Sequence, residues 1–209
     1  MIKAKYSDKQ FIVDILCRAF DQSISVNYAM KQGKKRRRRI RKLMDYSFEM
    51  CWLYGEIYYA SDRKGVALLF SPEQKKTTWR SVFRDISFIL SAVSLKRTIK
   101  VVKREFMLMK YYPEHLVYLW YLGVEPQSQG EGVGSKLLQE IMEMTDKRNL
   151  PIYLETSTLI NLAFYKRMHF EVFEQFNLSY PLYMLKREPQ RARHAFEREQ
   201  ARETKFAQM

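Results

Sequence analysis

The segment that most constrains the fold is an apolar stretch, HLVYLWYLGV at 115–124, which leads through a glycine-rich turn into an amphipathic helix. A stretch that is apolar at almost every position is typical of a central strand buried on both faces. The chain has only 7 glycines, yet Gly130, Gly132 and Gly134 stand at alternate positions directly before the helix. We predict the helix over about 132–147, and this order predicts a strand–turn–helix unit of an α/β domain. The predicted buried stripe of that helix consists of Leu137, Leu138, Ile141 and Met144.

The remaining elements are predicted from the same kind of periodicity. A short first strand is predicted at 2–5, and Ser7 is expected to cap the helix that follows it. Residues 21–33 are predicted to form a loop before a helix that starts in a basic run. The other predicted elements are a strand pair at 56–61 and 65–70, helices across 77–109, a strand at 152–155, a helix at 159–168 and strands at 170–176 and 182–187.

Length and composition indicate one domain. The chain has 209 residues, 46% of them hydrophobic and 14% aromatic, which suits a single α/β domain of ordinary size. We expect that domain at 1–188 and a charged tail at 189–209. Apolar runs such as 86–95 fall far short of the roughly 18 residues that a membrane span needs, and the first residues lack the apolar centre of a signal peptide. A cytoplasmic protein without a membrane partner is therefore expected.

The two cysteines, Cys17 and Cys51, each lie in a helix-like segment. Their spacing matches neither a metal site nor a disulfide framework. We interpret them as buried free thiols in a reducing cytoplasm, and we expect no metal in this chain.

Positive charge is concentrated in one run, KKRRRRIRK at 34–42, within a chain whose formal net charge is +14. Such charge attracts anions, whether nucleic acid, an acidic membrane surface or a polyphosphate ligand. The run contains no stacking aromatic residue, leads directly into a helix with an apolar face, and is accompanied by no nucleic-acid motif. These features favour a solvated helix start, or one that flanks an anionic cofactor, over a nucleic-acid site.

Two familiar phosphate-binding motifs do not match the glycine turn. A Walker loop ends in Gly-Lys-Ser/Thr, whereas this turn ends in Gly134, Ser135 and Lys136. A dinucleotide-binding turn has the spacing G-x-G-x-x-G, whereas this one has G-x-G-x-G. The remaining interpretation is based on backbone properties. The glycines allow unusual dihedral angles and close approach of a ligand. They precede a helix N-terminus, where free N–H groups favour an anion. A tight turn without a ligand is the alternative.

The residues QGEGVG at 129–134 match the Q/R-x-x-G-x-G/A signature of the GCN5-related N-acetyltransferases (GNAT), and the chain resembles that family on both sides of the match. YLGVEP precedes the signature and SKLLQEI follows it, while PIYLETSTLINLAFYKRMHFEV at 151–172 resembles a second block of the family. The two blocks cover about 116–176. The resemblance implies an α/β GNAT fold, in which a mixed central sheet splays between its fourth and fifth strands and is flanked by helices. The wider outline looks most like the puromycin-acetyltransferase-type branch.

The resemblance also implies that acetyl-CoA is the co-substrate and lies where the two central strands splay apart. The backbone of Leu122, Gly123 and Val124 would pair with the pantetheine arm. The glycines in the turn have no side chains that would block the phosphates. The backbone N–H groups implied to bind the pyrophosphate are those of Gln129, Gly130, Glu131, Gly132, Val133, Gly134 and Ser135.

Asn161 and Tyr165 lie four residues apart on the predicted helix and are therefore neighbours on one face. By resemblance, Asn161 hydrogen-bonds the pantetheine, and Tyr165 lies near the thioester sulfur, where its phenol could protonate the leaving thiolate. A packing role for Tyr165 is the alternative. The core stripe of this helix is predicted at Ile160, Ala163, Phe164 and Met168.

A general base is also required, because only a neutral amine attacks. Glu155, at the end of the predicted strand IYLE, is the candidate by position. A merely structural carboxylate, with water relaying the proton to a backbone carbonyl, is the alternative. His115, at the start of the central strand, is interpreted as structural. His169 stands where the family usually has glycine, which leaves the geometry of that turn open.

The resemblance places the acceptor pocket between the segments 21–33 and 71–113. Their aromatic residues could stack an aromatic or apolar amine, or could simply form core. The function favoured is direct transfer of an acetyl group to a primary amine of a small molecule. The alternatives are a non-catalytic acyl-CoA-binding module and an acetyltransferase that acts on a protein or peptide amine. Dimers are common among such domains, so a homodimer stays open. The aromatic residues concerned are Tyr28, Trp79, Phe83 and Phe88.

Overall fold

A computed structural model describes residues 1–71, 104, 107–108 and 110–192. The helices are α1 Lys9–Ala19, α2 Ile24–Ala29, α3 Arg36–Tyr54, α4 Val133–Arg148 and α5 Leu159–Arg167. The strands are β1 Ile2–Lys3, β2 Gly55–Tyr59, β3 Gly65–Phe70, β4 Val117–Val124, β5 Ile152–Thr156, β6 Glu171–Asn177 and β7 Pro181–Arg187. Most of the predicted helical region 77–109, with its Trp79, Phe83 and Phe88, lies outside the described residues. The other predicted strands and long helices are confirmed, with shifts of a few residues at their ends.

The strands form one mixed sheet in the order β1-β2-β3-β4-β5-β7-β6. Every pairing is antiparallel except that of β4 with β5, the two central strands. The parallel pair is joined through α4, as a parallel connection requires. Helices α1 and α3 cover one face of the sheet, and α4 and α5 cover the other. β4 is thus covered on both faces, as its almost continuous apolar sequence predicted, with every second residue buried and the others half-buried.

The parallel strands separate soon after they begin to pair. β4 and β5 are matched at Val117 with Ile152 and at Tyr118 with Tyr153, and at no later position. The rest of β4 stays paired with β3 as far as Val124, and the rest of β5 stays paired with β7 as far as Thr156. Each half of the sheet therefore keeps its own hydrogen bonds while a cleft opens between them. The splay expected between the fourth and fifth strands is confirmed.

A β-bulge at Trp120 turns the end of β4. Leu68 of β3 is opposite Tyr121, and the next residue, Leu69, is opposite Leu119, so Trp120 is the extra residue. The extra residue reverses the alternation of faces beyond it. Leu119 packs on the α4 side, whereas Tyr121 packs on the α1 side together with Trp120. The bulge thereby bends β4 at the level where it leaves β5.

Two local predictions are wrong. Ser7 lies inside a 3-10 turn, and the N-cap of α1 is Asp8, whose carboxylate accepts a hydrogen bond from the Lys5 backbone N–H at 2.8 Å. The predicted loop 21–33 contains α2, capped by Ser23. A six-residue helix, ISVNYA, is too short to display a 3.6-residue period, so its sequence carries no helical signal.

The basic run forms the start of α3, as predicted. Arg36 donates to the carboxylate of Asp21 at 2.8 Å and to the side-chain oxygen of Asn27 at 2.8 Å, which fixes α2 against α3. The run's other cations are largely solvated, and four of them, Lys34, Lys35, Arg37 and Arg38, are exposed and have no ion pair among the described residues. None of the helices traced at 1–71 and 110–192 combines the length and the apolar content of a membrane span.

Candidate active site

Two glycines of the turn after β4 adopt a backbone conformation that other residues rarely take. Gly130 has φ 89° and Gly132 has φ 82°, and Gly132 is the N-cap of α4. A Cβ atom added to either residue would meet no heavy atom within 4 Å. Both glycines are therefore required by conformation, and the space in front of them is open. The turn is thus shaped as a cradle rather than as a packed corner.

Gly134 and Gly123 serve packing instead. A Cβ on Gly134 would lie 3.2 Å from Val124 Cγ2, so Gly134 lets α4 approach the end of β4. A Cβ on Gly123 would lie 3.3 Å from both Ala19 and Phe20, so Gly123 admits α1. The alternate glycines of the sequence therefore divide into two that form an open turn and one that brings the helix close. Unusual dihedral angles are confirmed for Gly130 and Gly132 but not for Gly134.

The first turn of α4 points free donors into the space in front of the glycine turn. The first intrahelical bond of this end is made by Lys136, whose N–H donates to the Gly132 carbonyl at 2.9 Å. The preceding N–H groups, from Val133 to Ser135, are those that an α-helix leaves without an intrahelical acceptor. Together with the helix dipole they favour an anion. The turn is braced at its edge by a Lys64–Glu131 ion pair of 3.1 Å.

The strand residues assigned to the pantetheine arm lie on the open side of the splay. Leu122, Gly123 and Val124 pair with β3 on one edge, and they lie beyond the last match of β4 with β5 on the other. Their second edge therefore faces the cleft. Gln129 contacts the same segment, because its side-chain nitrogen donates to the Val124 carbonyl at 3.4 Å. The strand end and the glycine turn thus form one continuous surface.

Helix α5 follows β5 and carries both Asn161 and Tyr165. The Asn161 side-chain nitrogen donates to the hydroxyl of Thr156, the last residue of β5, at 3.3 Å. Tyr165 is 9% exposed, and its ring packs against Phe164 and Phe170 at centroid distances of 5.0 and 5.5 Å. Burial raises the pKa of the Tyr165 phenol well above its usual value of 10, so the phenol is neutral at physiological pH.

The core stripe predicted for α5 is wrong in part. Ile160 is 78% exposed, and Ala163 is also exposed, whereas Tyr165 and Met168 are buried. The helix has nine residues and is apolar on several sides, so its sequence does not determine which side faces the sheet. Tyr165 therefore lies on the buried face of α5, whereas Ile160 and Ala163 lie on its exposed face.

Glu155 is buried at the splay and fully engaged. Its carboxylate forms an ion pair with Arg104 and accepts hydrogen bonds from the hydroxyl groups of Tyr112 at 2.5 Å and Tyr118 at 3.2 Å. Only 6% of its side chain is exposed. No local sequence pattern predicts these three donors, because they come from 37 to 51 residues away along the chain. The base role of Glu155 stays a prediction. His115 is exposed and precedes β4.

The turn after α5 keeps the geometry that glycine would give, although His169 occupies it. His169 has φ 63°. Its N–H donates to the Lys166 carbonyl at 3.0 Å, and the Phe170 N–H donates to the Tyr165 carbonyl at 3.0 Å. These two bonds form a Schellman motif, in which glycine is the usual residue at the left-handed position. The histidine therefore carries backbone strain without altering the turn.

We expect His169→Gly to raise the free energy of unfolding by up to about 1 kcal/mol, because it relieves a left-handed conformation that costs L-residues about 1–2 kcal/mol. Part of the gain is offset by the greater backbone entropy of glycine in the unfolded chain. Denaturant unfolding of the two proteins measures the difference. Lys166→Gly, one turn earlier in the helical part of α5, should lower the free energy of unfolding, and equal effects from both variants would contradict this account.

A family model described as "Acetyltransferase (GNAT) domain" matches residues 96–172, which include β4, the glycine turn, α4, β5 and α5. Residues 96–172 are therefore similar to a GNAT acetyltransferase domain. The GNAT domain is that of an acyltransferase enzyme, and members of the family use acetyl-CoA as the co-substrate. The resemblance noted in the two sequence blocks is confirmed.

Individual relatives agree with this assignment. The chain is 29% identical over 175 residues to an uncharacterized N-acetyltransferase of Schizosaccharomyces pombe, covering 73% of this chain and 69% of the relative. A Corynebacterium glutamicum structure described as histone acetyltransferase HPA2 and related acetyltransferase superposes with TM-score 0.66 at 21% identity, over 90% of this chain and 94% of the other. Arylalkylamine N-acetyltransferase 2 of Aedes aegypti superposes with TM-score 0.63 at 14% identity, over 90% and 97%. At these identities the two structures show that the GNAT fold is shared.

Proposed function

We propose that this GNAT domain transfers an acetyl group from acetyl-CoA directly to a primary amine of a small molecule. The observation that carries the proposal is the junction of an open splay between β4 and β5 with an open, left-handed glycine turn at the N-terminus of α4. A long ligand with an anionic end fits both parts. The turn offers N–H donors to phosphates, and the unpaired edge of β4 offers backbone groups to an extended amide chain.

In this proposal the cofactor is held by two sets of residues. The edge of Leu122, Gly123 and Val124 pairs with the pantetheine arm, and Asn161 hydrogen-bonds the same arm from the opposite wall. The pyrophosphate is bound by the backbone of residues 129–135. A Cβ at Gly130 or Gly132 would enter the open space before the turn, which supports their role in the phosphate cradle.

Tyr165 is proposed to donate the proton that the leaving thiolate requires. Its burial against Phe164 and Phe170 keeps the phenol neutral, which is the state that a general acid needs. The amine must lose protons to attack the thioester carbonyl. We propose that a water molecule relays this proton to a backbone carbonyl, because both carboxylate oxygens of Glu155 are already bonded to Arg104, Tyr112 and Tyr118.

Two alternatives to the small-molecule proposal are distinct in kind. A non-catalytic acyl-CoA-binding module would use the same cradle without a role for Tyr165. An acetyltransferase acting on a protein or peptide amine is favoured by a separate observation, the exposed cations at the start of α3. Lys34, Lys35, Arg37 and Arg38 have no acidic partner among the described residues and could attract an acidic chain.

We also propose one catalytic domain at 1–188, a separate tail at 189–209 and a cytoplasmic location. The domain boundary is supported by the end of β7 at Arg187, whose side chain donates to Asp146 of α4 at 2.7 Å. The location is supported by the thiols of Cys17 and Cys51, which are both free. Burial raises the pKa of Cys17 to about 11, so its thiol is inert at neutral pH.

The proposal is tested by incubating the protein with acetyl-CoA and a panel of amines while release of free CoA thiol is monitored. The panel should contain small aliphatic amines, arylalkylamines, and neutral and acidic peptides with a free amine. We expect turnover with one or more small amines and little with the peptides. Tight CoA binding without thioester cleavage across the panel would favour the binding module. Turnover confined to acidic peptides, and suppressed by salt, would favour a protein acceptor.

A further inference from the structure

A compact polar group lies on the sheet face opposite to α4 and α5, and we call it the Glu155 cluster. It consists of Glu155, Arg104, Tyr112 and Tyr118. One carboxylate oxygen of Glu155 accepts hydrogen bonds from both tyrosines, and the other binds the Arg104 guanidinium. The arginine side chain is 16% exposed and the glutamate side chain 6%. The carboxylate is therefore shielded from water and already in contact with three donors.

The cluster is centred where the parallel strands begin to separate. Tyr118 belongs to the last matched pair of β4 and β5, opposite Tyr153, and Glu155 follows two residues later on β5. The Tyr112 ring lies over both strands, with ring centroids 5.5 Å from Tyr118 and 5.7 Å from Tyr153. Glu155 thus connects one strand to a tyrosine of the other and to Tyr112 above them.

This arrangement is poorly suited to proton abstraction. A general base needs a lone pair that can reach a proton of the substrate within about 2.6–3.2 Å. Both carboxylate oxygens of Glu155 are taken by protein donors, and the Arg104 cation balances the negative charge. The same bonds are well suited to holding side chains, because hydrogen bonds to a charged partner are stronger than those between neutral groups.

We propose that Glu155 is a positioning residue, which holds the half-buried rings of Tyr112 and Tyr118 as an aromatic wall against which the acceptor amine binds. This inference rests on the proposed acetyltransferase function and specifies its acceptor side. The faces of the two rings are apolar, and within the part of the chain that the structure describes Arg104 balances the charge of Glu155. The acceptor that fits the wall is therefore an amine attached to an aromatic or otherwise apolar body, rather than a polycation.

The test compares Glu155→Gln, Tyr112→Phe and Tyr118→Phe with wild type, using phenylethylamine and ethylamine as acceptors. Glu171→Gln, in the exposed part of β6, is the matched carboxylate-to-amide control. For Glu155→Gln we expect KM for phenylethylamine to rise about tenfold, as for loss of a hydrogen bond to a charged group. We expect kcat within about threefold of wild type, an unchanged pH profile of kcat/KM, and the same Kd for CoA by calorimetry.

The tyrosine variants keep the rings and lose the hydroxyl groups, so they should raise KM for phenylethylamine less, by a few-fold. Tyr112→Phe combined with Glu155→Gln should have little further effect, because both remove the same contact. The tyrosine variants also keep the test decisive if Glu155→Gln does not fold, since an unpaired Arg104 would destabilise the protein.

Two results would overturn the positioning role while leaving the acetyltransferase intact. A fall in kcat of about 100-fold or more in Glu155→Gln, with loss of the acidic limb of the pH profile, would identify Glu155 as the base. An unchanged KM for phenylethylamine in the folded glutamine and phenylalanine variants would show that the rings of Tyr112 and Tyr118 do not bind the acceptor. Absence of turnover in wild type with every amine would overturn the proposed function and, with it, this inference.

Discussion

Tyr165→Phe is expected to lower kcat by about 100-fold or more while leaving the affinity for CoA unchanged, because general acid catalysis contributes about 10²–10⁴ to a rate. The ring keeps its contacts with Phe164 and Phe170, and only the hydroxyl is lost. Steady-state kinetics with the best acceptor of the amine panel measure kcat, and calorimetric titration with CoA measures the Kd. A loss confined to kcat would separate proton donation from cofactor binding.

The pH profile adds a second observable to the same variant. Burial raises the pKa of Tyr165, and an acid remains active as long as it is protonated. The raised pKa therefore extends the active range upward, and wild-type kcat should show no loss attributable to this phenol up to about pH 10, its ordinary pKa. A falling limb well below that pH, present in wild type and absent in Tyr165→Phe, would contradict the burial argument.

Tyr183→Phe is the matched control for the hydroxyl deletion. Tyr183 is half-buried in β7 and packs on the same side of the sheet as α4 and α5, yet it has no role in the proposed transfer. Its variant should keep kcat within about twofold of wild type, as a surface or peripheral substitution usually does. If Tyr165→Phe were as active as this control, the enzyme would use another acid, or the chain would be a binding module.

The turn and its flanking elements could be predicted because their signals are local. An uninterrupted apolar stretch indicates a buried strand, alternate glycines indicate a special backbone, and the stripe from Leu137 to Ile141 indicates the buried side of α4. All of these depend on residues close together in the chain. The splay itself was not visible in this way and was expected only from the family resemblance. Its physical basis, two matched pairs followed by separate pairing of each strand, needed the fold.

The features that escaped prediction depend on distant residues or on very short elements. The donors around Glu155 arrive from Arg104, Tyr112 and Tyr118, and no spacing within the sequence links them to β5. The bulge at Trp120 depends on the register with β3, which the sequence of β4 alone does not contain. Ile160, predicted in the core stripe of α5, is exposed for the same reason. Contacts with other elements decide the buried side of a short apolar helix.

Wild type is expected to bind acetyl-CoA with a Kd in the micromolar range, and Gly132→Val is expected to lose this binding. Gly132 has φ 82° at the N-cap of α4, and a β-branched residue is a genuine outlier in that conformation. The valine side chain would also fill space that is open in front of the turn. Strain would displace the N–H donors and bulk would block the phosphates.

Gly33→Val separates these effects from a general loss of structure. Gly33 also has a positive φ, 115°, and open space around its Cβ position, but it belongs to a different turn, between α2 and α3. The free energy of unfolding should fall by a similar amount in both variants, about 1–2 kcal/mol, because of the strained backbone. Only Gly132→Val should fail to bind acetyl-CoA in calorimetric titration. Gly132→Ala, with a smaller side chain, should bind with intermediate affinity. Wild-type affinity in a folded Gly132→Val protein would show that the turn does not hold the cofactor, and the acetyltransferase proposal would then lose the site on which it rests.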